Sequence, residues 1–180
     1  MSLEEQNDLD LEKANNLFDM QNYQASFELF MKLANRNDIN AQNMLGYIYW
    51  EGFGRNQNES KAIYWWNKAS RDGSRYAQFQ LADIYIRDNR VKKGLNLLKI
   101  SAKNEYAEAI YSLGGLYYYG TYVKKDFNRA IELYEKAMLL DHKEATRELM
   151  RVIFIKNGFW KTFLISLKLS SKYIISRLKI

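Results

Sequence analysis

Residues able to do acid–base, nucleophilic or metal chemistry are few and scattered in this chain. Its one histidine, His142, follows Asp141 at an expected helix start, with no serine-nucleophile motif nearby. That placement predicts a solvent-exposed neighbour of a helix cap rather than a catalytic base. Cysteine is absent, which excludes thiolate nucleophiles, thiolate zinc sites, iron–sulfur clusters and disulfide frameworks. The carboxylate pair Glu4-Glu5 lies in an acidic opening segment expected to fray and stay solvated. The stretch Glu51-Gly-Phe-Gly-Arg55 has two glycines but neither the Gly-Lys-Ser/Thr ending nor the preceding strand of a phosphate loop, so a helix-linking turn is expected. No metal, cofactor or enzymatic activity is expected.

What the chain has instead is aromatic surface and helical periodicity. Its 180 residues include 14 Tyr, 9 Phe and 4 Trp, with 47% hydrophobic and 27% charged residues and no proline. That length predicts one domain, at most two, burying roughly 70% of the unfolded surface. The composition is globular, and the lack of proline with only 9 Gly disfavours turn-dense all-β folds. The expected organisation is a helical domain over 1–157 and a basic amphipathic helix over 158–180.

The net charge of +6 is uneven. Residues 151–180 hold seven Lys/Arg and no Asp/Glu, leaving 20 basic against 21 acidic residues in 1–150. Such asymmetry suggests a basic end that meets an acidic surface. The opening segment MSLEEQNDLDLEK has no basic n-region and no apolar run, so it is not read as a secretory signal. Without cysteine, a cytoplasmic location is expected, peripheral at the inner face of a membrane being the alternative. Lysines 156, 161, 168 and 172 interrupt the apolar runs, disfavouring a membrane span.

Apolar residues recur at three-and-four spacing, the helical period. The pattern also repeats at longer range. Ala41, Leu45, Gly46 and Tyr49 return as Ala77, Leu81, Ala82 and Tyr85, then as Ala107, Leu113, Gly114 and Tyr117. Ala62, Trp66 and Ala69 have the spacing of Ala130, Tyr134 and Ala137. Leu45, Gly46 and Tyr49 share a helical face. Small residues such as Gly46 and Ala69 let paired helices approach, and Tyr49 and Trp66 fill the remaining space. No pair covers its own apolar face, so pairs must stack. Asn22, Asn58, Ser74, Asn89, Asn104, Asp126 and Asp141 stand where N-caps are needed, with Glu144 completing a capping box on Asp141. Gly73 and Gly120 mark helix ends. Ten helices are expected, over about 9–19, 22–35, 39–51, 59–71, 74–87, 90–103, 106–119, 126–139, 142–156 and 159–178.

Residues 41–77 and 107–145 resemble the Sel-one-like repeat (SLR), a relative of the tetratricopeptide repeat. The resemblance is carried by Ala41, Leu45-Gly46, Tyr49, Gly52 and Gly54, Ala62, Trp65-Trp66, Lys68-Ala69 and Gly73. The unit over 77–107 has a shorter loop and is similar to a plain tetratricopeptide unit; 11–40 and 142–180 match more weakly. The resemblance implies an all-α, right-handed superhelical solenoid of about five antiparallel helix pairs. It also implies a non-catalytic adaptor that holds a protein or peptide partner in a concave groove and helps assemble complexes, often near membranes. The absence of cysteine departs from secreted members with a disulfide in each repeat.

Such solenoids line their concave surface with the first helix of each pair. With Leu45 pointing inward, Asn43, Tyr47 and Trp50 fall on the opposite side of their helix at 100° per residue. Equivalent offsets select Phe79, Asp83 and Arg87 from Leu81, and Tyr111, Tyr118 and Tyr119 from Leu113. The aromatics supply contact area at low entropy cost, and Asp83 and Arg87 would set orientation. The same rings could instead fill space between successive pairs.

In 159–180, Trp160, Phe163, Leu164, Leu167, Ile174, Ile175 and Leu178 share one side of a helical wheel, beside a stripe of Lys161, Lys168, Lys172 and Lys179. The segment reads either as a terminal repeat helix capping the domain or as a helix binding an anionic membrane surface through Trp160 and those lysines. Nucleic acid is a remote partner, since no reading motif accompanies the lysines.

Overall fold

The computed structural model describes residues 2–158 together with 162, 164–166, 168 and 169. The described residues are all-helical, with no strand among them. The chain divides into two compact units, 1–84 and 85–180. Unit 1 contains α1 (Leu3–Asp19), α2 (Tyr23–Asn35), α3 (Ile39–Glu51), α4 (Glu59–Arg71) and most of α5 (Arg75–Arg87). Unit 2 contains the end of α5, α6 (Val91–Lys103), α7 (Ala107–Tyr119), α8 (Phe127–Leu139) and α9 (Ala145–Asn157).

In unit 1, α1 packs on α2, α2 on α3 and α3 on α4. Phe30, Leu33, Leu45 and Ile48 are fully buried between them, with small Ala14, Ala34 and Ala41 at the close approaches. In unit 2, α7 packs on α6 and α8, and α8 on α9. Ile110, Leu113, Leu149 and Ile153 are buried there. The Leu45, Leu81 and Leu113 pattern therefore marks core positions, at 0%, 1% and 6% exposure.

Two kinds of connection join the helices, and both repeat. The short turns place one residue in the left-handed region: Gln21, Asn37, Gly73, Asn89, Glu105 or Asp141. The next N–H then donates back five residues, from Asn22 to Leu17, Asp38 to Leu33, Ser74 to Ala69, Arg90 to Tyr85, Tyr106 to Ser101 and His142 to Ala137, at 2.7–3.2 Å. This is the Schellman closure, which satisfies a terminal carbonyl and reverses the chain. The long turns follow α3 and α7. Gly52 and Gly120 terminate those helices at φ 82° and 76°. The Asn58 N–H donates to Tyr49 and the Asp126 N–H to Tyr117, nine residues back, at 2.7 and 2.9 Å.

Helix ends refine the expectations. Asn22, Asn58 and Asp126 cap α2, α4 and α8 through their side chains, and the Ser74 Oγ accepts from the Ala77 N–H at 3.1 Å. Asp38 is a further cap, on α3. Asn89 and Asp141 are not the N-cap residues: each is the left-handed residue of a Schellman turn, and Arg90 and Glu144 stand at the N-caps of α6 and α9. Asn104 is the C-cap of α6. The opening segment is not frayed. The Ser2 hydroxyl accepts from the Glu5 N–H, and the Glu5 carboxylate accepts from the Ser2 N–H at 2.7 Å, so α1 starts at Leu3 rather than residue 9. Of the expected helix over 159–178, residues 162, 164–166, 168 and 169 are helical and Lys168 is exposed. Trp160, Lys161, Lys172 and Lys179 lie outside the described residues.

Candidate partner-binding face

Asn43 is held from two directions in unit 1. Its backbone carbonyl accepts from the Trp66 indole N–H at 3.3 Å, and its side-chain oxygen accepts from the Ser74 hydroxyl at 2.9 Å. That hydroxyl is also the N-cap of α5. The capping of one helix and the packing of another thus fix the rotamer of a half-buried polar residue.

Asn43 borders a cleft of about 470 Å³ built from the first helices of successive pairs. Helix α1 contributes Leu11 and Asn15, α3 contributes Asn40, Met44 and Tyr47 beside Asn43, and α5 contributes Tyr76. Tyr47 rests against Phe53 at 5.4 Å and Phe18 at 6.4 Å, in a group of rings that includes Tyr23. Burial pushes the Tyr76 phenol above its ordinary pKa, against the opposing effect of its hydrogen bond with Gln80. It therefore stays protonated at neutral pH and serves as a hydrogen-bonding group, not a base.

The lining offers amide and phenol hydrogen-bonding groups beside apolar side chains. A carboxamide presents a donor and an acceptor side by side, as a peptide group does. Among the described residues, no group of three or more His, Asp and Glu could hold a metal ion.

The other expected site residues are placed as follows. In unit 1, Trp50 is half-buried with its ring 5.7 Å from Trp66, Phe79 is half-buried, and Asp83 is exposed. In unit 2, Arg87 is exposed. Tyr118 is 9% exposed and packs on Phe127 at 5.9 Å, whereas its neighbour Tyr119 is 63% exposed. Tyr111 stacks on His142 with centroids 4.0 Å apart and planes 15° from parallel. His142 is thus a packed ring, not the exposed cap neighbour expected, and its Nδ1 accepts from the Glu144 N–H at 3.3 Å. Burial raises the pKa of Tyr111, with the Glu148 and Glu144 carboxylates adding to the effect.

Sequence reasoning missed Leu11, Asn15, Asn40, Met44 and Tyr76. Asn40 was within reach: it lies three residues before Asn43 and seven before Tyr47, on the same helical face. Tyr76 precedes Phe79 by the same three. The α1 pair Leu11 and Asn15 has one-turn spacing but no repeat partner from which to project it.

A shift of 68 positions maps Asn43 and Ser74 onto Tyr111 and His142, and Gly46 and Trp66 onto Gly114 and Tyr134. The Sel1 repeat model matches the segments related by that shift, 39–74 and 107–142. The chain carries Sel1 repeats. The Sel1-repeat chain is 31% identical over 100 residues to a putative sel1-like repeat-containing protein of Acanthamoeba polyphaga mimivirus, covering 54% of this chain and 18% of that protein. It is 30% identical over 105 residues to the Arabidopsis thaliana ERAD-associated E3 ubiquitin-protein ligase component HRD3B, covering 58% and 17%. The chain therefore spans less than a fifth of these curated relatives. A Sel1 repeat protein from Oxalobacter formigenes has a similar solved structure, at TM-score 0.80 and 25% identity, covering 92% of this chain and 69% of that one. A protective antigen of uropathogenic Escherichia coli with an SLR fold shares the fold at TM-score 0.67 and 24% identity, covering 87% and 37%. The Sel1-repeat chain thus has the solenoid type of fold, and Sel1 repeats serve as helical scaffolds for protein interaction.

Proposed function

We propose that this chain is a non-catalytic adaptor that holds an extended segment of a partner protein against the α1–α3–α5 face of unit 1. The carrying observation is the cleft itself, where Asn15, Asn40 and Asn43 stand beside Tyr47 and Tyr76. The amides would pair with the partner's backbone, and the rings would take its side chains. Within unit 1, exposed Asp83 extends the proposed contact set, with half-buried Trp50 and Phe79 beside it in the sequence pattern. On unit 2, we propose exposed Arg87 and Tyr119, with Tyr111 and Tyr118, as partner contacts in their own right. The Arabidopsis relative is by name a component of a larger assembly, in keeping with an adaptor role. Affinity capture from the native cell, comparing wild type with Asn40→Ala plus Tyr47→Ala, tests the assignment. Loss of specific proteins from the variant's partner set is expected; identical sets would remove the cleft from consideration.

A second function, contact with an anionic membrane surface, rests on the seven basic and no acidic residues of 151–180 and on exposed Phe154, Ile155 and Leu164. No helix among the described residues is long and apolar enough to cross a membrane. Flotation with vesicles containing phosphatidylserine, comparing the full chain with one ending near Asn157, decides it: equally poor flotation of both excludes the lipid role.

A further inference from the structure

Unit 2 carries a second cleft, of about 340 Å³, between α6, α7 and α8. Its floor is apolar, with buried Ile110, Leu113 and Leu133. Its rim is cationic: Lys99 and Lys103 stand one turn apart on α6, and Arg129 and Lys136 face them from α8. Two nearby carboxylates partly offset this rim. Arg129 pairs with Glu132 at 2.7 Å and Lys136 with Glu105 at 3.1 Å. All four partners are about half exposed or more, so an incoming carboxylate competes for these cations at little cost. The site suits an apolar knob surrounded by acids.

Helix α1 presents that shape. Leu9 is 53% exposed. Glu5 lies one turn before it, Glu12 three residues after it and Asp8 beside it, all three exposed, and they outnumber the exposed Lys13 one turn after it. Asp10 points elsewhere, into its ion pair with Lys32 at 2.8 Å. The charge division has the same sense at larger scale. Residues 1–84 contain 8 Lys/Arg against 12 Asp/Glu, a net of −4, whereas 85–180 contain 19 against 9, a net of +10.

We propose that this chain self-associates head to tail, α1 of one copy seating Leu9 in the α6–α7–α8 cleft of the next, with Glu5, Asp8 and Glu12 meeting the cationic rim. The contact uses different surfaces on the two copies, so it extends into open chains unless the geometry closes a ring. It uses residues of α1 other than Leu11 and Asn15, which line the cleft in unit 1.

Sedimentation equilibrium of the full chain tests it. Wild type associates with rising concentration, and the association constant falls about tenfold or more as salt rises from roughly 0.05 M to 0.5 M. Leu9→Lys and the double variant Lys99→Glu plus Lys103→Glu are each monomeric while keeping wild-type helicity and melting temperature. Their equimolar mixture forms heterodimers and nothing larger, because one variant keeps the cleft and the other keeps the knob. Tyr47→Ala associates like wild type. A monomeric wild type, association that either variant leaves intact, or a mixture that forms no heterodimer overturns the proposal.

Discussion

The indole of Trp66 occupies the space where a side chain on Gly46 would stand. A Cβ on Gly46 would come within 2.3 Å of the Trp66 Nε1, and that same nitrogen donates to the Asn43 carbonyl at 3.3 Å. Gly46 and Trp66 are thus one packing unit, closing α3 on α4 and fixing a residue of the cleft. The unit recurs 68 positions later, where a Cβ on Gly114 would meet the Tyr134 ring at 2.8 Å.

Adjacent glycines should therefore respond with opposite signs. Gly46→Ala and Gly114→Ala force an aromatic ring out of a packed site and are expected to cost about 1–3 kcal/mol. At Gly115 the nearest atom to an added Cβ is the Tyr134 hydroxyl at 3.6 Å, ordinary contact. Gly115→Ala should gain up to about 1 kcal/mol from helix propensity. Urea denaturation of the three variants measures this; a neutral Gly46→Ala would show that the α3–α4 interface is loosely packed.

Gln21 holds φ 60° in the short turn between α1 and α2, a region that penalises any side chain with a Cβ. Gln21→Gly is expected to raise stability by about 0.5–1 kcal/mol, read as a higher melting temperature. A drop in melting temperature would mean that Gln21 makes a compensating contact.

Ser74 links stability to the candidate site. Its hydroxyl caps α5 and donates to Asn43. Ser74→Ala should cost about 1–2 kcal/mol, and Ser74→Thr should restore most of it. Asn43→Ala leaves the cap in place and should cost less. Calorimetric scans of the three proteins order them; equal losses for Ser74→Ala and Asn43→Ala would mean that the cap contributes little.

Asp10 predicts an acid-sensitive α1–α2 pair. Its hydrogen bond with Lys32, helped by Gln6, lowers its pKa below 3.8. A carboxylate with a depressed folded-state pKa stabilises the fold above its unfolded value and loses that stabilisation as pH falls through the folded value. The melting-temperature gap between wild type and Asp10→Asn should therefore be full near neutral pH and shrink below pH 3.8. A gap that persists unchanged in strong acid would assign the effect of the substitution to something other than charge.

Much of the helix content was legible because it is local. Leu45, Leu81 and Leu113 recur at positions that only a buried face tolerates, and small Gly46 and Ala69 announced a close approach of paired helices, although not which ring Gly46 would meet. Caps divided according to their chain surroundings. Asn58 and Asp126 follow long Gly-containing turns and act as expected, whereas Asn89 and Asp141 were diverted into left-handed turn positions that their short side chains tolerate. The start of α1 was misjudged because the Ser2–Glu5 box holds a chain end that would otherwise tend to fray.

By itself the sequence determined that this chain folds as stacked helix pairs, since the 3.6-residue period and the repeat spacing state which side of each helix must be hidden. Tertiary structure alone decided which residues on the remaining sides come together. Asn15, Asn43 and Tyr76 sit on three different helices and share one cleft, while neighbouring Tyr118 and Tyr119 separate into a buried ring and an exposed one. Spacing along a helix sets the direction of a side chain; what it meets there depends on how the next helix is laid against it, and that is settled only when side chains such as Trp66 pack.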